Sequence, residues 1–81
     1  MLNEIKILIV DDNSVFRKAL RLLIEEVLLQ KKLIFHEAEN GFEAISMHKE
    51  NRYDYIFMDI NMPQMDGITA AKLIDEYSRD V

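Results

Sequence analysis

Apolar residues run almost unbroken from Ile5 to Val10, with only Lys6 interrupting. A short aliphatic and β-branched run of this kind predicts a strand buried on both faces. Asn13 and Ser14 then offer helix-capping side chains. From Val15 the period changes: Val15, Phe16, Ala19, Leu20, Leu23, Ile24, Val27 and Leu28 recur at helical spacing, with Arg17, Lys18, Arg21 and Glu25 between them. The pattern predicts one long amphipathic helix. Leu33 to Ala38 reads as a second strand, left through the turn signal Asn40-Gly41. A second helix follows from about Phe42 to Glu50, on the apolar set Phe42, Ala44, Ile45 and Met47. Tyr53 to Met58 predicts a third strand. After the loop Met62-Pro63-Gln64-Met65-Asp66-Gly67, the spacing of Ile68, Ala71, Ile74 and Tyr77 predicts a third helix.

The resulting order is βαβαβα. Strands separated by helices of this length cannot be joined as hairpins, so the sheet is expected to be parallel, with right-handed crossovers and helices on both faces. All strand C-termini then share one edge, which is where open α/β sheets bind ligands. Asp11 and Asp12 follow the first strand and Asp59 closes the third. The topology therefore predicts a shared acidic pocket built from residues far apart in sequence.

Carboxylates held a few ångströms apart repel, and one of them would take up a proton unless a cation intervened. An oxygen-only donor set matches Mg²⁺ better than Zn²⁺, which prefers nitrogen and sulfur. Neither His36 nor His48 stands at a strand C-terminus or has metal-ligand spacing, so both are left out of the site. His36 is assigned to the pattern of the second strand and His48 to a solvated helix face. With a metal to neutralise phosphoryl oxygens, an Asp oxygen can attack phosphorus to give an acyl phosphate.

Composition narrows the alternatives. A chain of 81 residues makes one domain at most, and 49% hydrophobic residues is too many for intrinsic disorder. The net charge of −5, from 15 acidic and 10 basic residues, repels phosphate backbones, so nucleic acid is not an expected partner. There is no cysteine for a disulfide or a thiolate site. No stretch has the pattern of a signal peptide or the length of a membrane span, so a cytoplasmic location and no membrane association are expected.

Three features occur in order along the chain: Asp11-Asp12-Asn13 after an apolar strand; Glu37-Ala38-Glu39-Asn40-Gly41 followed by Glu43-Ala44; and Met58-Asp59-Ile60-Asn61-Met62-Pro63-Gln64-Met65-Asp66-Gly67. Together they resemble the first part of a response-regulator receiver domain, the phosphoacceptor module of two-component signalling. The resemblance runs from about Ile5 to Tyr77 and is strongest to receivers of hybrid histidine kinases. It implies that Asp59 is the phosphorylated aspartate, that Asp12 binds Mg²⁺ directly and that Asp11 assists, often through water. It also implies that the backbone carbonyl of Asn61 completes the metal site. The Asn61 side chain matches a position that tunes how long the phosphoryl group survives. Pro63 and Gly67 shape the following loop. The implied donors are a sensor histidine kinase or a histidine phosphotransfer protein, docking on the first helix, where Phe16, Arg17 and Leu20 are candidates. Phe16 and Leu20 also read equally well as core residues.

The implied fold is a flavodoxin-like doubly wound sheet, normally five strands in the order 2-1-3-4-5. Three are present here, in the expected order 2-1-3, so residues 1–81 read as a single truncated receiver. The Thr or Ser that senses the phosphoryl group, its Lys partner and the aromatic switch residue would lie in the absent half. Lys72 is better read as a solvent-facing charge than as a replacement. The third strand would then be an uncovered apolar edge, which invites homodimerisation.

The leading expectation is a non-enzymatic signalling phosphoacceptor. The alternative is an interaction or decoy module that binds a kinase or receiver partner without being phosphorylated. A hydrolase of the haloacid dehalogenase type would want a second Asp two residues after Asp59, and Asn61 stands there instead.

Overall fold

Strand β1 (Glu4–Val10) is the middle strand of the sheet, and its sequence explains why. Ile7, Leu8, Ile9 and Val10 are all but inaccessible to solvent, which only a strand covered on both faces achieves. The computed structural model describes residues 4–29, 31–59, 72 and 74. Within them β1 is followed by helix α1 (Ser14–Val27), strand β2 (Lys32–Ala38), helix α2 (Gly41–Asn51) and strand β3 (Tyr55–Met58). The fold is α/β, with a three-stranded parallel sheet in the order β2-β1-β3. The expected third helix lies mostly outside the described residues, but Lys72 and Ile74 are helical, Lys72 exposed and Ile74 buried.

Alternation along β1 divides the core into two layers. Leu8 and Val10 point to one face, where they meet Ala38, Ala44 and Ile74, with Ile56 and Met58 packed alongside. Ile7 and Ile9 point to the other, against Ile24 and the half-buried Leu20, Leu28, Leu33 and Phe35. In register Ile7 faces Tyr55 and Ile9 faces Phe57. Both of those β3 residues remain partly open to solvent, 55% and 40% exposed. Beside them runs an apolar groove of about 400 Å³, lined by Leu20, Leu23, Val27, Tyr55 and Phe57 among others.

Both described helices start on asparagine. Asn13 Oδ1 accepts from the backbone N–H groups of Val15 (2.9 Å) and Phe16 (3.1 Å). At α2, Asn40 Oδ1 accepts from Glu43 N (2.9 Å), and Glu43 Oε1 reaches back to accept from Glu39 N (3.0 Å). This is a capping box displaced by one residue. The Asn40-Gly41 pair is therefore a helix start and not a reversed turn, and no described glycine has positive φ.

His48 departs from the solvated position expected for it: it is 5% exposed. Gly41, Ala44 and His48 are the buried residues of α2 and share one helical face. The His48 ring stacks on Tyr53 at a centroid distance of 6.3 Å, and the Tyr53 hydroxyl meets Nδ1 of His36. These contacts turn Tyr53 into the core, so β3 begins two residues later than its apolar run suggests. Asp54 fixes that start: its Oδ2 accepts from Lys6 N (2.8 Å) and its own N–H donates to Lys6 O (2.8 Å).

Burial, reinforced by the Arg52 charge, holds the His48 pKa below its ordinary 6.5. The folded state resists the proton that the unfolded state accepts, so the stability tied to His48 is intact above 6.5 and declines as pH falls below it. Melting temperature measured from about pH 7.5 to about pH 5 should fall more steeply for the natural chain than for His48→Phe, which removes the titrating ring nitrogen.

Candidate functional site

The sheet ladder carries the acidic residues past the strand ends. Asp11 N donates to Ala38 O of β2 (3.1 Å), and Asp59 N donates to Val10 O of β1 (3.0 Å). Because Val10 and Met58 are register partners, Asp11 and Asp59 leave the sheet side by side. Asp12 follows on the turn into α1. Asp11 is buried at 8% exposure, Asp59 is half-buried and Asp12 is exposed. One carboxylate oxygen from each of the three lies within 4.8 Å of the others.

That spacing fits a hard divalent ion. Opposite oxygens around a six-coordinate Mg²⁺ are separated by about 4 Å, so small side-chain rotations bring the three into range. The donor set is all carboxylate, and two of its members have access to solvent, which leaves room for the waters that Mg²⁺ retains. Asn61, whose carbonyl was expected to complete the set, lies outside the described residues, as does the loop through Gly67. His36 and His48 stand away from this edge, against Tyr53.

The turn between β1 and α1 is tightly tied. Asp11 Oδ1 accepts from Asn13 N (2.8 Å), and Asn13 O accepts from Arg17 N (3.1 Å). The Arg17 side chain donates from Nε to Glu37 Oε1 (2.7 Å) and from Nη1 to the carbonyl of Asp11. Arg17 falls between the apolar positions of α1 and is a docking candidate by the resemblance, but it is buried, its side chain only 10% exposed. The signal was in the sequence: Arg17, Leu20, Ile24 and Leu28 fall at helical spacing, and the last three, Leu20 and Ile24 of α1 and its C-cap Leu28, meet the sheet. Of the three docking candidates Leu20 is half-buried, and Phe16 is the exposed one.

Phe16 overlooks the acidic cluster. It lines, with Leu20, Phe57, Met58, Asp11 and Asp59, a cleft of about 480 Å³. Acid and apolar surface are thus presented together at the C-terminal edge of the sheet.

Residues 7–81 match the sequence model of the response regulator receiver domain. The chain belongs to that family. It is 48% identical over 71 residues to hybrid signal transduction histidine kinase F of Dictyostelium discoideum, a match covering 85% of this chain and 6% of the kinase. It is 43% identical over 72 residues to chemotaxis protein CheY of Bacillus subtilis, covering 88% of this chain and 57% of CheY. Among solved structures it superposes, with a TM-score of 0.74 and 32% identity, on a co-crystal structure of the Saccharomyces cerevisiae histidine phosphotransfer signaling protein Ypd1 and the receiver domain of its downstream response regulator Ssk1. That match covers 99% of this chain and 52% of the other. This receiver chain therefore spans little more than half the length of CheY and of the superposed chain. The family sets its context as two-component signalling, in which receiver domains take a phosphoryl group on an aspartate.

Proposed function

We propose that Asp59 is the phosphoacceptor of this receiver, taking its phosphoryl group from a phosphohistidine on a sensor histidine kinase or a histidine phosphotransfer protein. Asp11, Asp12, Asp59 and the backbone carbonyl of Asn61 would hold Mg²⁺, and residues 1–81 act as a single receiver unit. The observation that carries the reading is the convergence of three carboxylates from two strand ends, with Asp59 tied to β1 through Val10 O. When bound, Mg²⁺ supplies positive charge against phosphoryl oxygens. An Asp59 oxygen forms its bond to phosphorus as the phosphorus–nitrogen bond of the donor breaks, leaving the donor imidazole neutral once protonated. The protein catalyses no turnover of a metabolite in this scheme.

The Ypd1–Ssk1 similarity supports a partner that presents a histidine from outside the fold. The exposed Phe16 beside the acidic cleft offers that partner an apolar contact. The exposed Tyr55 and Phe57, on a strand whose outer edge pairs with no other among the described residues, support self-association as part of the same proposal. Sedimentation velocity should show dimer for the natural chain and mainly monomer for Tyr55→Lys, since an edge lysine opposes strand pairing.

The central test is incubation with a small phosphodonor and Mg²⁺, read by intact-mass spectrometry. One added phosphoryl group is expected on the natural chain and none on Asp59→Asn. A folded sample that acquires no adduct would replace this reading with that of an interaction module that binds its partner unphosphorylated.

A further inference from the structure

We propose that Arg17 is a positioning residue for the metal-binding carboxylates: its guanidinium, anchored on Glu37, fixes the carbonyl of Asp11 and with it the peptide that joins Asp11 to Asp12. The inference rests on the Mg²⁺ site proposed above. Asp12 is exposed, so packing does not orient it, and its direction follows from the backbone that carries it. That backbone is held at three points. Asp11 N donates to Ala38 O, Asp11 Oδ1 accepts from Asn13 N, and Asp11 O accepts from Arg17 Nη1. Glu37 and Ala38 are neighbours on β2, so one strand end secures both backbone polar atoms of Asp11, directly at the N–H and through Arg17 at the carbonyl.

The chemistry requires arginine. Nε reaches Glu37 while Nη1 reaches Asp11 O, a two-point bridge that the single ammonium of lysine does not reproduce. Burying this guanidinium does little for the fold, because desolvation offsets much of the attraction and an apolar pair of similar volume is often as stable or more so. Arg17 stands in line with Leu20 and Ile24, where an apolar side chain would pack on the sheet. What an apolar residue cannot do there is donate to the Asp11 carbonyl.

The test is Mg²⁺ affinity, measured by calorimetric titration of MgCl₂ into the full chain, together with thermal unfolding in EDTA. Arg17→Met and the double variant Arg17→Met/Glu37→Met should each raise the Kd for Mg²⁺ by about tenfold to a hundredfold, the range seen when an outer partner of a metal ligand is lost. The double variant leaves no unpaired buried charge and should unfold cooperatively at or near the natural temperature without metal. A double variant that is folded yet binds Mg²⁺ within about twofold of the natural chain, well short of that range, overturns the assignment. So does one that does not fold, since the pair would then serve the fold itself. If the natural chain binds no Mg²⁺, the site reading fails along with this inference; if it binds and the variants bind equally, only this inference fails.

Discussion

Asp12→Asn is expected to lower Mg²⁺ affinity at least about a hundredfold, the upper end of what losing an outer partner costs, and to suppress phosphorylation of Asp59 at millimolar Mg²⁺. The substitution keeps size and hydrogen-bonding capacity but removes one of three charges whose oxygens lie within 4.8 Å of each other. A hard divalent ion binds to that charge as much as to the geometry. The same change should stabilise the metal-free protein. Without a cation the three carboxylates repel, and relieving one repulsion at this partly solvated edge is worth on the order of 1 kcal/mol. Melting in EDTA should therefore rise for Asp12→Asn, while the further rise that Mg²⁺ gives the natural chain should vanish. Opposite movement of the two readings identifies a residue kept for binding at a cost to stability. A parallel fall in both would mean that Asp12 supports the fold and not the metal.

What the sequence disclosed about this site follows from how local each feature is. The run Ile7-Leu8-Ile9-Val10 has no polar member, and a strand without a polar face has to be central; its position then places Asp11 at the open edge. Asp59 could be brought beside it from connectivity alone, because parallel strands end together. Features that depend on tertiary partners were harder to read. Arg17 looks like one more charge on a helix until Glu37 arrives from β2 to neutralise it. His48 looks like a surface residue until Tyr53 stacks on it, although Gly41 and Ala44 already marked its helical face as the small-residue face that packs closely. The apolar stripe of α1 overstated burial for a related reason. Leu20, Ile24 and Leu28 meet the sheet, whereas Val15, Phe16, Leu23 and Val27 are exposed, because an amphipathic pattern states what a helix can bury and not what is there to bury it.

Leu8→Ala should produce the largest loss of stability of any single truncation in β1. Leu8 is fully buried between the register partners His36 and Ile56, and it packs with Val10, Ala38, Ala44 and Ile74. Removing three carbons there forfeits their transfer energy and leaves a cavity that a central strand, bonded on both sides, cannot collapse to fill. The cost is about 3–4 kcal/mol. A domain of this length is stabilised by roughly 4–12 kcal/mol, so the variant would sit near the limit of folding, its melting temperature lowered by some 15–25 °C. Phe57→Ala, at the edge strand, removes more atoms but from a side chain already 40% exposed, and should cost less than half as much, about 1.5 kcal/mol or below. Thermal unfolding of the two variants decides between two accounts of where this small protein keeps its stability. If Phe57→Ala were the more damaging, the apolar surface of β3 would have to be covered in solution, and the self-association proposed for that edge would be part of the folded state itself.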